Sequence, residues 1–382
     1  MRFLHCSDLH LGKRVHECTM IEEQRQMLDQ LVSIAEQKAV DGVLLAGDLF
    51  DKAVPSIEAV QLLDGFFTSL FQRHLPVYCI SGNHDSPERL SFGGRLLERS
   101  GVYLASVFHG EMYHLTLEDG FGPLHLYLLP FVKPSMVRPF FPDENIITYE
   151  EAVRSVLSHS ALDPSARNVL VAHQFITNNG VEPSRCDSET LSIGGVDQVD
   201  ASLFDAFDYV ALGHLHGPQS IRRETVRYCG SPLKYSFSEC RQKKSVTIVE
   251  LREKGNVTLE PVMITPLREL RELRGTLSAL LDPDVAALGN PEDYLRVILT
   301  DEEPLYDPLS QLRQKYPNIL RLDVENSRTA QGSVSATTQQ IEEKSPEALF
   351  SAFYEMANGV PISPEEQAIL ETVIRQMGEE NG

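Results

Sequence analysis

Five short segments of the chain carry side chains that bind divalent cations. Each offers carboxylate or amide oxygens or imidazole nitrogens, and each follows a short apolar run that is typical of a strand. The metal ligands predicted among them are two Asp, one Asn and four His, a donor set that suits a pair of hard-to-borderline divalent cations. The segments are Asp8-Leu9-His10, Gly47-Asp48-Leu49-Phe50-Asp51, Gly82-Asn83-His84-Asp85, Ala172-His173-Gln174 and Gly213-His214-Leu215-His216.

Each segment is a weak signal when it stands alone. A single Asp-x-His or Gly-Asn-His sequence is more often a turn or a helix cap, and His173 by itself would be interpreted as a core histidine. All five segments occur in order, each after a strand, and this combination predicts a site for two metal ions. The remaining histidines are interpreted as packing or surface residues: His5, His16, His74, His109, His114, His125 and His159.

Strands and helices must alternate to bring these segments together. Strands are predicted at 2–7, 43–46 and 76–80, with helices at 21–39 and 56–72. Later strands are predicted at 125–129, 168–172 and 208–212, with antiparallel pairs within 219–229 and between 245–250 and 257–262. This order indicates βαβ units, and the ligands fall at the carboxyl ends of strands, where α/β sheets place their sites.

The order D-x-H, G-D-x-x-D, G-N-H-D, a lone His after a strand and G-H-x-H resembles the calcineurin-like metallophosphoesterases. Within that superfamily the chain most resembles the SbcD family of bacterial nuclease subunits, which work with the SbcC ATPase. The closer match lies in residues 3–12, 80–90 and 228–233, and the likeness covers roughly the first 260 residues. The resemblance implies an α/β fold: a metallophosphoesterase two-layer β-sandwich flanked by helices, then a small α/β capping domain and a C-terminal helical tail.

The resemblance also implies which residue holds which cation. The first cation would take Asp8, His10, Asp48 and His216, and the second would take Asp48, Asn83, His173 and His214. Asp48 is the natural bridge between them because a carboxylate has two oxygens. Two cations held by these ligands can stabilise both the attacking and the leaving oxygen of a phosphoester. Four His among the ligands favour Mn²⁺ over Mg²⁺, which prefers oxygen.

His84 follows a ligand and is not itself needed as one. At that place it could donate a proton to the departing sugar oxygen or neutralise its charge. Asp51 and Asp85 are both candidates to orient the imidazole ring, and we prefer Asp51, from the G-D-x-x-D segment. Nucleases of the family often have His at the position of Asp51.

Three basic residues near the site are candidates for DNA contacts. Arg89 lies in the first turns of the helix after the G-N-H-D segment, and Lys13 and Arg14 follow the D-x-H segment. Each could contact a phosphate, and each is equally well explained as a surface charge. The pairs Arg222-Arg223 and Lys243-Lys244 are interpreted as solvated charges in turns.

The family resemblance implies a Mn²⁺-dependent DNA nuclease that acts in double-strand break repair, recombination and replication. The implied activities are 3′-to-5′ exonuclease and hairpin or end-opening endonuclease activity on DNA. A phosphatase or cyclic-nucleotide phosphodiesterase is an alternative in the same chemistry, although Lys52-Ala53 replaces the Arg-Gly of serine/threonine phosphatases. A mainly structural subunit of an ATPase complex is the alternative from another class, and the intact ligand set disfavours it.

The chain of 382 residues is long enough for several units. We predict a nuclease domain at 1–265, a capping domain at 275–326 with strand 294–299, helix 308–315 and strand 319–325, and a linker at 327–344. Residues 345–382 contain two helix starts, each a Ser-Pro-Glu sequence. The family resemblance and the polar linker imply that these helices bind the coiled coil of an SbcC-like ATPase, and docking onto their own domain is the alternative. A homodimer is also expected.

Composition indicates the cellular compartment of the protein, and its net charge conflicts with a role as a nuclease. No signal peptide precedes the first motif, no apolar stretch approaches a membrane span, and the six Cys lack C-x-x-C spacing, so a reduced cytoplasmic protein is expected. The formal net charge is −21, with 55 Asp and Glu against 34 Lys and Arg. A nuclease that binds DNA usually has a basic surface. The acidic balance therefore favours a small-molecule phosphatase or a protein partner.

Overall fold

Strands dominate the part of the chain that the structure describes. The computed structural model describes residues 1–189 and 197–327, together with 350, 351, 354, 362, 363, 367 and 370. Its strands are β1 (Arg2–Cys6), β2 (Arg14–Val15), β3 (Cys18–Thr19), β4 (Gly42–Ala46), β5 (Val77–Ile80), β6 (Val102–Ala105), β7 (Tyr113–Asp119), β8 (Gly122–Leu129), β9 (Arg167–His173), β10 (Phe175–Thr177), β11 (Gln198–Asp200), β12 (Tyr209–Gly213), β13 (Gln219–Ile221), β14 (Arg223–Tyr228), β15 (Ser245–Leu251), β16 (Val257–Met263), β17 (Leu270–Gly275), β18 (Tyr294–Leu299) and β19 (Ile319–Val324).

Six of the nine helices described in the structure lie between parallel strands of the two large sheets. The nine are α1 (Ile21–Gln37), α2 (Ile57–Phe71), α3 (Pro87–Leu90), α4 (Gly94–Arg99), α5 (Pro134–Val137), α6 (Tyr149–Ser158), α7 (Leu277–Leu280), α8 (Pro283–Ala286) and α9 (Pro308–Arg313). Short 3₁₀ turns occur at Arg138–Phe140, Ala201–Phe204 and Phe237–Glu239. Caps fix two of the starts: Ser56 accepts from the Ala59 amide before α2, and Thr148 and Glu151 form a capping box at α6.

Two six-stranded sheets carry most of the chain. One has the order β16-β15-β1-β4-β5-β6 and the other β13-β14-β12-β9-β8-β7. In the first sheet β1, β4, β5 and β6 are parallel, and in the second β8, β9, β12 and β14 are parallel. The parallel strands of the first sheet are joined through helices, as parallel connections require. The predicted strands and helices up to residue 265 correspond to these elements within a few residues.

Side chains alternate along the strands, so each strand contributes to two hydrophobic cores, one between the sheets and one between a sheet and its helices. On β1, Phe3 lies in a cluster with Leu126 and Val171 of the other sheet, whereas its neighbour Leu4 lies in a cluster with Met27 of α1. Adjacent strand residues point to opposite faces of a sheet, so one face of each sheet packs on the other and the second face packs on helices. The predicted two-layer β-sandwich flanked by helices is confirmed.

The chain divides into two compact units. The first contains Met1–Glu272, Ala287–Arg296 and Tyr316–Arg321, and the second contains Leu273–Ala286 and Val297–Lys315. The charged stretch at 268–275, for which no helix or strand is predicted, forms β17, and a three-stranded sheet has the order β17-β18-β19. The predicted domain boundaries at 265 and 275 stay predictions.

The predicted linker and helical tail, 327–344 and 345–382, lie almost entirely outside the described residues. Among the described residues, no helix is both long and apolar enough to cross a membrane.

Candidate metal centre

Every predicted metal ligand lies at the carboxyl end of a strand, and both sheets contribute. Short loops after the strands bring the seven side chains together, and all of them are buried except Asn83, which is half-buried. The residues are Asp8 and His10 after β1, Asp48 after β4, Asn83 after β5, His173 at the end of β9, and His214 and His216 after β12. The sandwich therefore collects ligands that are separated by more than two hundred positions in the sequence.

The loops that carry the ligands have strained backbones. Four non-glycine ligands have positive φ: Asp8 (54°), His10 (42°), Asp48 (51°) and His214 (106°). Residues with side chains rarely adopt this region, and such strain persists when surrounding contacts impose it. The contacts here are main-chain hydrogen bonds, from the Asp8 amide to Gly47 O at 3.1 Å and from the His10 amide to Asp48 O at 3.0 Å. The first two motifs therefore hold each other in place.

Two motif glycines are required because other groups approach their Cα atoms closely. A Cβ at Gly82 would lie 2.1 Å from Asp48 Oδ1, and a Cβ at Gly213 would lie 1.9 Å from Ala46 O. Both distances are far below van der Waals contact. The glycines of G-N-H-D and G-H-x-H thus allow the loops to pack around Asp48 and the end of β4.

Asp8, His10 and His216 form one side of the centre. The Nε2 atoms of His10 and His216 face each other at 3.1 Å. Asp8 is held by the Ser7 hydroxyl and by the His214 amide, which donates to Asp8 Oδ1 at 3.0 Å. These three side chains place their ligand atoms within 4.8 Å of one another.

Asn83, His173 and His214 form the other side. His173 Nε2 lies 3.1 Å and His214 Nδ1 2.9 Å from Asn83 Oδ1. His173 Nδ1 donates to Ala46 O at 2.7 Å, so when the ring is neutral the lone pair lies on Nε2 and is directed at the site. A histidine held in this way is ready to act as a ligand.

Asp48 lies between the two sides. Its Oδ2 is 3.7 Å from His10 Nε2 and 3.4 Å from His173 Nε2, and its Oδ1 accepts from the His84 amide at 2.9 Å. No other carboxylate among the described residues contacts a histidine of each side at these distances. This position is the one expected of a bridging ligand.

Burial and charge determine the protonation of these groups. Burial lowers the pKa of His214 to about 3 and that of His10 well below its usual value, so both rings are neutral. Burial would also lower the pKa of His173, but the charge of Asp48 outweighs it and raises that pKa to about 9. His173 in turn holds the pKa of Asp48 well below its usual range despite burial. The centre thus favours positive charge beside Asp48.

His84 is only partly buried and its ring lies edge-on to that of His10, with 4.8 Å between the ring centroids. Its Nδ1 donates to the main-chain oxygen of Asp51 at 2.9 Å. The expected contact from the Asp51 carboxylate is therefore replaced by one from the Asp51 backbone. The carboxylate pairs instead with Lys13 Nζ at 2.7 Å and lies 3.9 Å from His10 Nδ1.

Asp85, the other candidate to orient His84, has a different set of contacts. Its carboxylate accepts from the amides of Leu49 at 3.1 Å, Phe50 at 3.0 Å and Gly82 at 2.9 Å. Burial raises the pKa of Asp85 to about 6, and the charge of Asp48 contributes. Asp85 ties the G-D-x-x-D loop to the G-N-H-D loop.

The three candidate DNA contacts differ in position. Lys13 is largely buried and pairs with Asp51 beside the centre. Arg14 is exposed and pairs with Glu17 at 3.7 Å. Arg89 is an exposed residue of α3. Lys13 alone among these three contacts a residue of the predicted site, and the role of all three in DNA binding stays a prediction.

Sequence analysis missed a polar network behind His216. Glu239 and Lys244 are buried and their side chains are 2.5 Å apart, so the interpretation of Lys244 as a solvated turn charge is wrong. Burial would raise the pKa of Glu239, but the hydrogen bond with His216 and the charge of Lys244 hold it well below its usual range. Ser188 and Glu189 also contact His216, through Nδ1 and the main-chain amide respectively. The S-F-S-E sequence before Cys240 has no spacing that signals this role.

The donor set fits two divalent cations. Lone-pair-bearing atoms converge with few protons between them: two imidazole Nε2 atoms at 3.1 Å on one side, and an amide oxygen facing two ring nitrogens on the other. Cations would satisfy these atoms, and neutral imidazole with carboxylate and amide oxygen suits Mn, Fe or Zn better than Ca.

Comparison with known families gives matches over most of the chain. A family model described as calcineurin-like phosphoesterase matches residues 1–218. A second, described as type 5 capsule protein repressor C-terminal domain, matches residues 266–358.

Two bacterial relatives match over most or all of the chain. The chain is 31% identical to the SbcD subunit of the nuclease SbcCD from Staphylococcus saprophyticus, covering 100% of this chain and 99% of that protein. It is 34% identical to the protein of the same name from Staphylococcus epidermidis, covering 84% of this chain and 85% of that protein. Among solved structures, a dimetal phosphatase from Danio rerio aligns at 13% identity with a TM-score of 0.41, covering 69% of this chain and 98% of that one.

Proposed function

Because the chain belongs to the calcineurin-like phosphoesterase family, in the branch of the SbcD subunits of nuclease SbcCD, we propose that it is a metal-dependent phosphodiesterase that cuts DNA. The proposed activities are 3′-to-5′ exonuclease and hairpin or end-opening endonuclease cleavage, in double-strand break repair, recombination and replication. The observation that carries the proposal is the convergence of seven oxygen and imidazole donors with a partly exposed His84 beside them.

Each residue of the centre has a proposed part. Asp8, His10 and His216 would hold one cation, Asn83, His173 and His214 the other, and Asp48 both. When bound, such cations neutralise charge on a phosphoester and increase the acidity of water. Mn²⁺ is the proposed metal because the donors mix imidazole nitrogen with oxygen.

His84 is proposed to assist the leaving group. The Asp51 carbonyl accepts from Nδ1, so Nε2 is the nitrogen free to meet a substrate. If His84 is protonated, Nε2–H can donate to the departing sugar oxygen as the phosphorus–oxygen bond breaks. The half-buried position beside His10 keeps the ring at the edge of the centre, where a phosphodiester can reach it.

The net negative charge of the protein affects how it binds DNA. A surface with a net charge of −21 repels a phosphate backbone. We therefore propose that DNA ends and hairpins bind productively only with an SbcC-like coiled-coil ATPase, and that residues 345–382 bind this partner. A titration of DNA at physiological salt, with and without the ATPase, tests this. Tight binding by the lone metal-free subunit would contradict it, as would full co-purification of a 340–382 deletion with the ATPase.

An apolar surface supports a homodimer. Val60 of α2 and Leu96 of α4 are 47% and 70% exposed, and Phe92, between α3 and α4, is 88% exposed. They line a groove between α2 and the α3–α4 segment, together with Phe67 and Leu97. A contiguous exposed apolar surface of this kind commonly marks a protein interface. Sedimentation of the parent and of a Phe92→Glu, Leu96→Glu double variant tests the dimer, which the double variant should lose.

The deciding experiment compares substrates in the presence of Mn²⁺. The protein should cleave a DNA hairpin, and its activity on p-nitrophenyl phosphate should be weak. Strong hydrolysis of p-nitrophenyl phosphate or of a cyclic nucleotide without DNA cleavage would favour the phosphatase or cyclic-nucleotide alternative. Metal binding with no hydrolysis of any of these would favour a structural subunit. A reduced intracellular compartment is proposed with the same function, because DNA repair takes place there.

A further inference from the structure

A buried ion pair stands behind one side of the metal centre. Glu239 and Lys244 are 0% and 5% exposed, and Lys244 Nζ donates to Glu239 Oε2 at 2.5 Å. Removing two charges from water can cost more than their attraction returns, so a buried pair of this kind is weak as a stabilising device. The hydrogen bonds that the pair makes around His216 indicate a role in positioning that residue.

The carboxylate oxygen of Glu239 that does not bind Lys244, Oε1, sets the proton positions around His216. Ser188 Oγ donates to Glu239 Oε1 at 2.6 Å, and Ser188 Oγ also lies 2.9 Å from His216 Nδ1. Ser188 has one proton, and the carboxylate can only accept. The contact with Ser188 therefore requires His216 Nδ1 to donate. His216 Nε2 then keeps its lone pair, and this is the atom that faces His10.

Lys244 holds the main chain of the same residue. Its Nζ donates to His216 O at 2.9 Å and to Ser231 Oγ at 3.0 Å. One buried pair thus fixes both the ring and the backbone of His216, and Lys244 balances the charge that the carboxylate brings.

We infer that Glu239, balanced by Lys244, is a positioning residue that keeps the proton of His216 on Nδ1 and makes Nε2 a stronger donor to a cation. A carboxylate behind a ligating imidazole orients the ring and increases its basicity. The inference rests on the proposed function and deepens it, since it assigns a specific support to the Asp8, His10 and His216 side.

The test is a Mn²⁺ titration of the metal-free protein by calorimetry, with a Glu239→Leu, Lys244→Met double variant. Replacing both partners avoids leaving one buried charge unpaired. One of the two Mn²⁺ sites should weaken by about 10–100-fold, the usual effect of losing such a partner. The matched control is Asp119→Leu, Arg167→Met, which removes an ion pair near the start of β9, at the opposite end from His173. Its Mn²⁺ affinities should equal those of the parent.

A second measurement is decisive already in the parent protein. Long-range ¹H–¹⁵N imidazole spectra should show His216 protonated on Nδ1 in the metal-free state. In the double variant the Ser188 hydroxyl is free to donate to Nδ1, so the population should shift towards protonation on Nε2. Protonation on Nε2 in the parent overturns the inference, even if the double variant fails to fold.

The outcomes separate this inference from the proposed function. If a folded double variant binds Mn²⁺ at both sites as tightly as the parent, the inference is overturned, and DNA cleavage by the parent is unaffected by that result. Equal weakening of Mn²⁺ binding in the control variant overturns the inference as well. A parent that binds two Mn²⁺ but cuts no DNA refutes the proposed function, and the titration of the double variant still decides the role of Glu239.

Discussion

The two sides of the metal centre hold their histidines by different means. On one side the His216 ring lies against Ser188 and the buried carboxylate of Glu239, and Lys244 binds its carbonyl. On the other side His173 donates to the carbonyl of Ala46, which belongs to β4. A charged side chain orients one ligand, and a strand backbone orients the other.

This difference decides which of the two orienting contacts a side-chain substitution can remove. The partner of His173 is a main-chain oxygen, so no side-chain replacement removes it. The partner of His216 depends on Glu239 and can be deleted. An imidazole backed by a carboxylate is also a stronger donor than one backed by a neutral carbonyl, so the two sides should differ in affinity for the same cation. Variants on and between the sides can test this comparison.

The largest effect is expected where the two sides meet. Asp48→Asn should abolish DNA cleavage and lower Mn²⁺ occupancy on both sides, because Asp48 faces His10 and His173 together. The loss of activity should exceed the about 10⁴-fold upper range of a general acid. Metal analysis and hairpin cleavage measure the two effects. Two full equivalents of tightly bound Mn²⁺ in this variant would refute the bridging position.

The next largest effect is expected for His84, which lies at the edge of the centre. His84→Gln should retain both Mn²⁺ sites but lose about 10²–10⁴-fold in DNA cleavage, the usual contribution of general acid catalysis. The deficit should shrink with a p-nitrophenyl phosphodiester, whose leaving group needs no proton. Equal losses on both substrates would remove His84 from the leaving-group role.

A one-sided effect is expected for Asn83→Ala. Asn83 Oδ1 contacts His173 and His214 and is itself a proposed ligand, so its loss should weaken the Mn²⁺ site on that side by at least the about 10–100-fold that losing a partner of a ligand costs, and leave the His216 side unchanged. Calorimetric titration should therefore show one weakened site, complementary to the one weakened in the Glu239→Leu, Lys244→Met variant. If both variants weaken the same site, the division of the centre into two sides is wrong.

The sequence alone predicts the sandwich and the ligand cluster because both follow from local patterns. The apolar runs before Asp8, Asp48 and Asn83 are short and end in polar residues, and strands β1, β4 and β5 are found there. Parallel strands deliver their carboxyl ends to one edge of a sheet, so the ligands could be expected together before any contact was known.

The supports of the ligands could not be predicted in this way. Lys244 contacts the carbonyl of His216, 28 residues away, and Glu239 contacts Ser188, 51 residues away. A Glu after Ser-Phe-Ser and a Lys in a Lys-Lys pair have the composition of a solvated turn, and only the tertiary packing removes them from water. Whether Asp51 acts through its carboxylate or its backbone depends likewise on the loop conformation.

The smallest effect is expected for Asp51→Ala, and it tests how the edge of the centre is held. The His84 ring is oriented by the main-chain oxygen of Asp51, which alanine retains, while the lost carboxylate pairs with Lys13. Because the ring keeps the hydrogen-bond partner that orients it, the loss of DNA cleavage should stay below the about 10²-fold lower range of general acid catalysis. Lys13→Met removes the same pair from the other partner and should give a similar small loss. A deficit with Asp51→Ala as large as that of His84→Gln, together with a mild one for Lys13→Met, would mean that the Asp51 carboxylate turns to the ring when substrate binds. The backbone would then be only its resting partner, and His84 would share with His216 the dependence on a charged side chain.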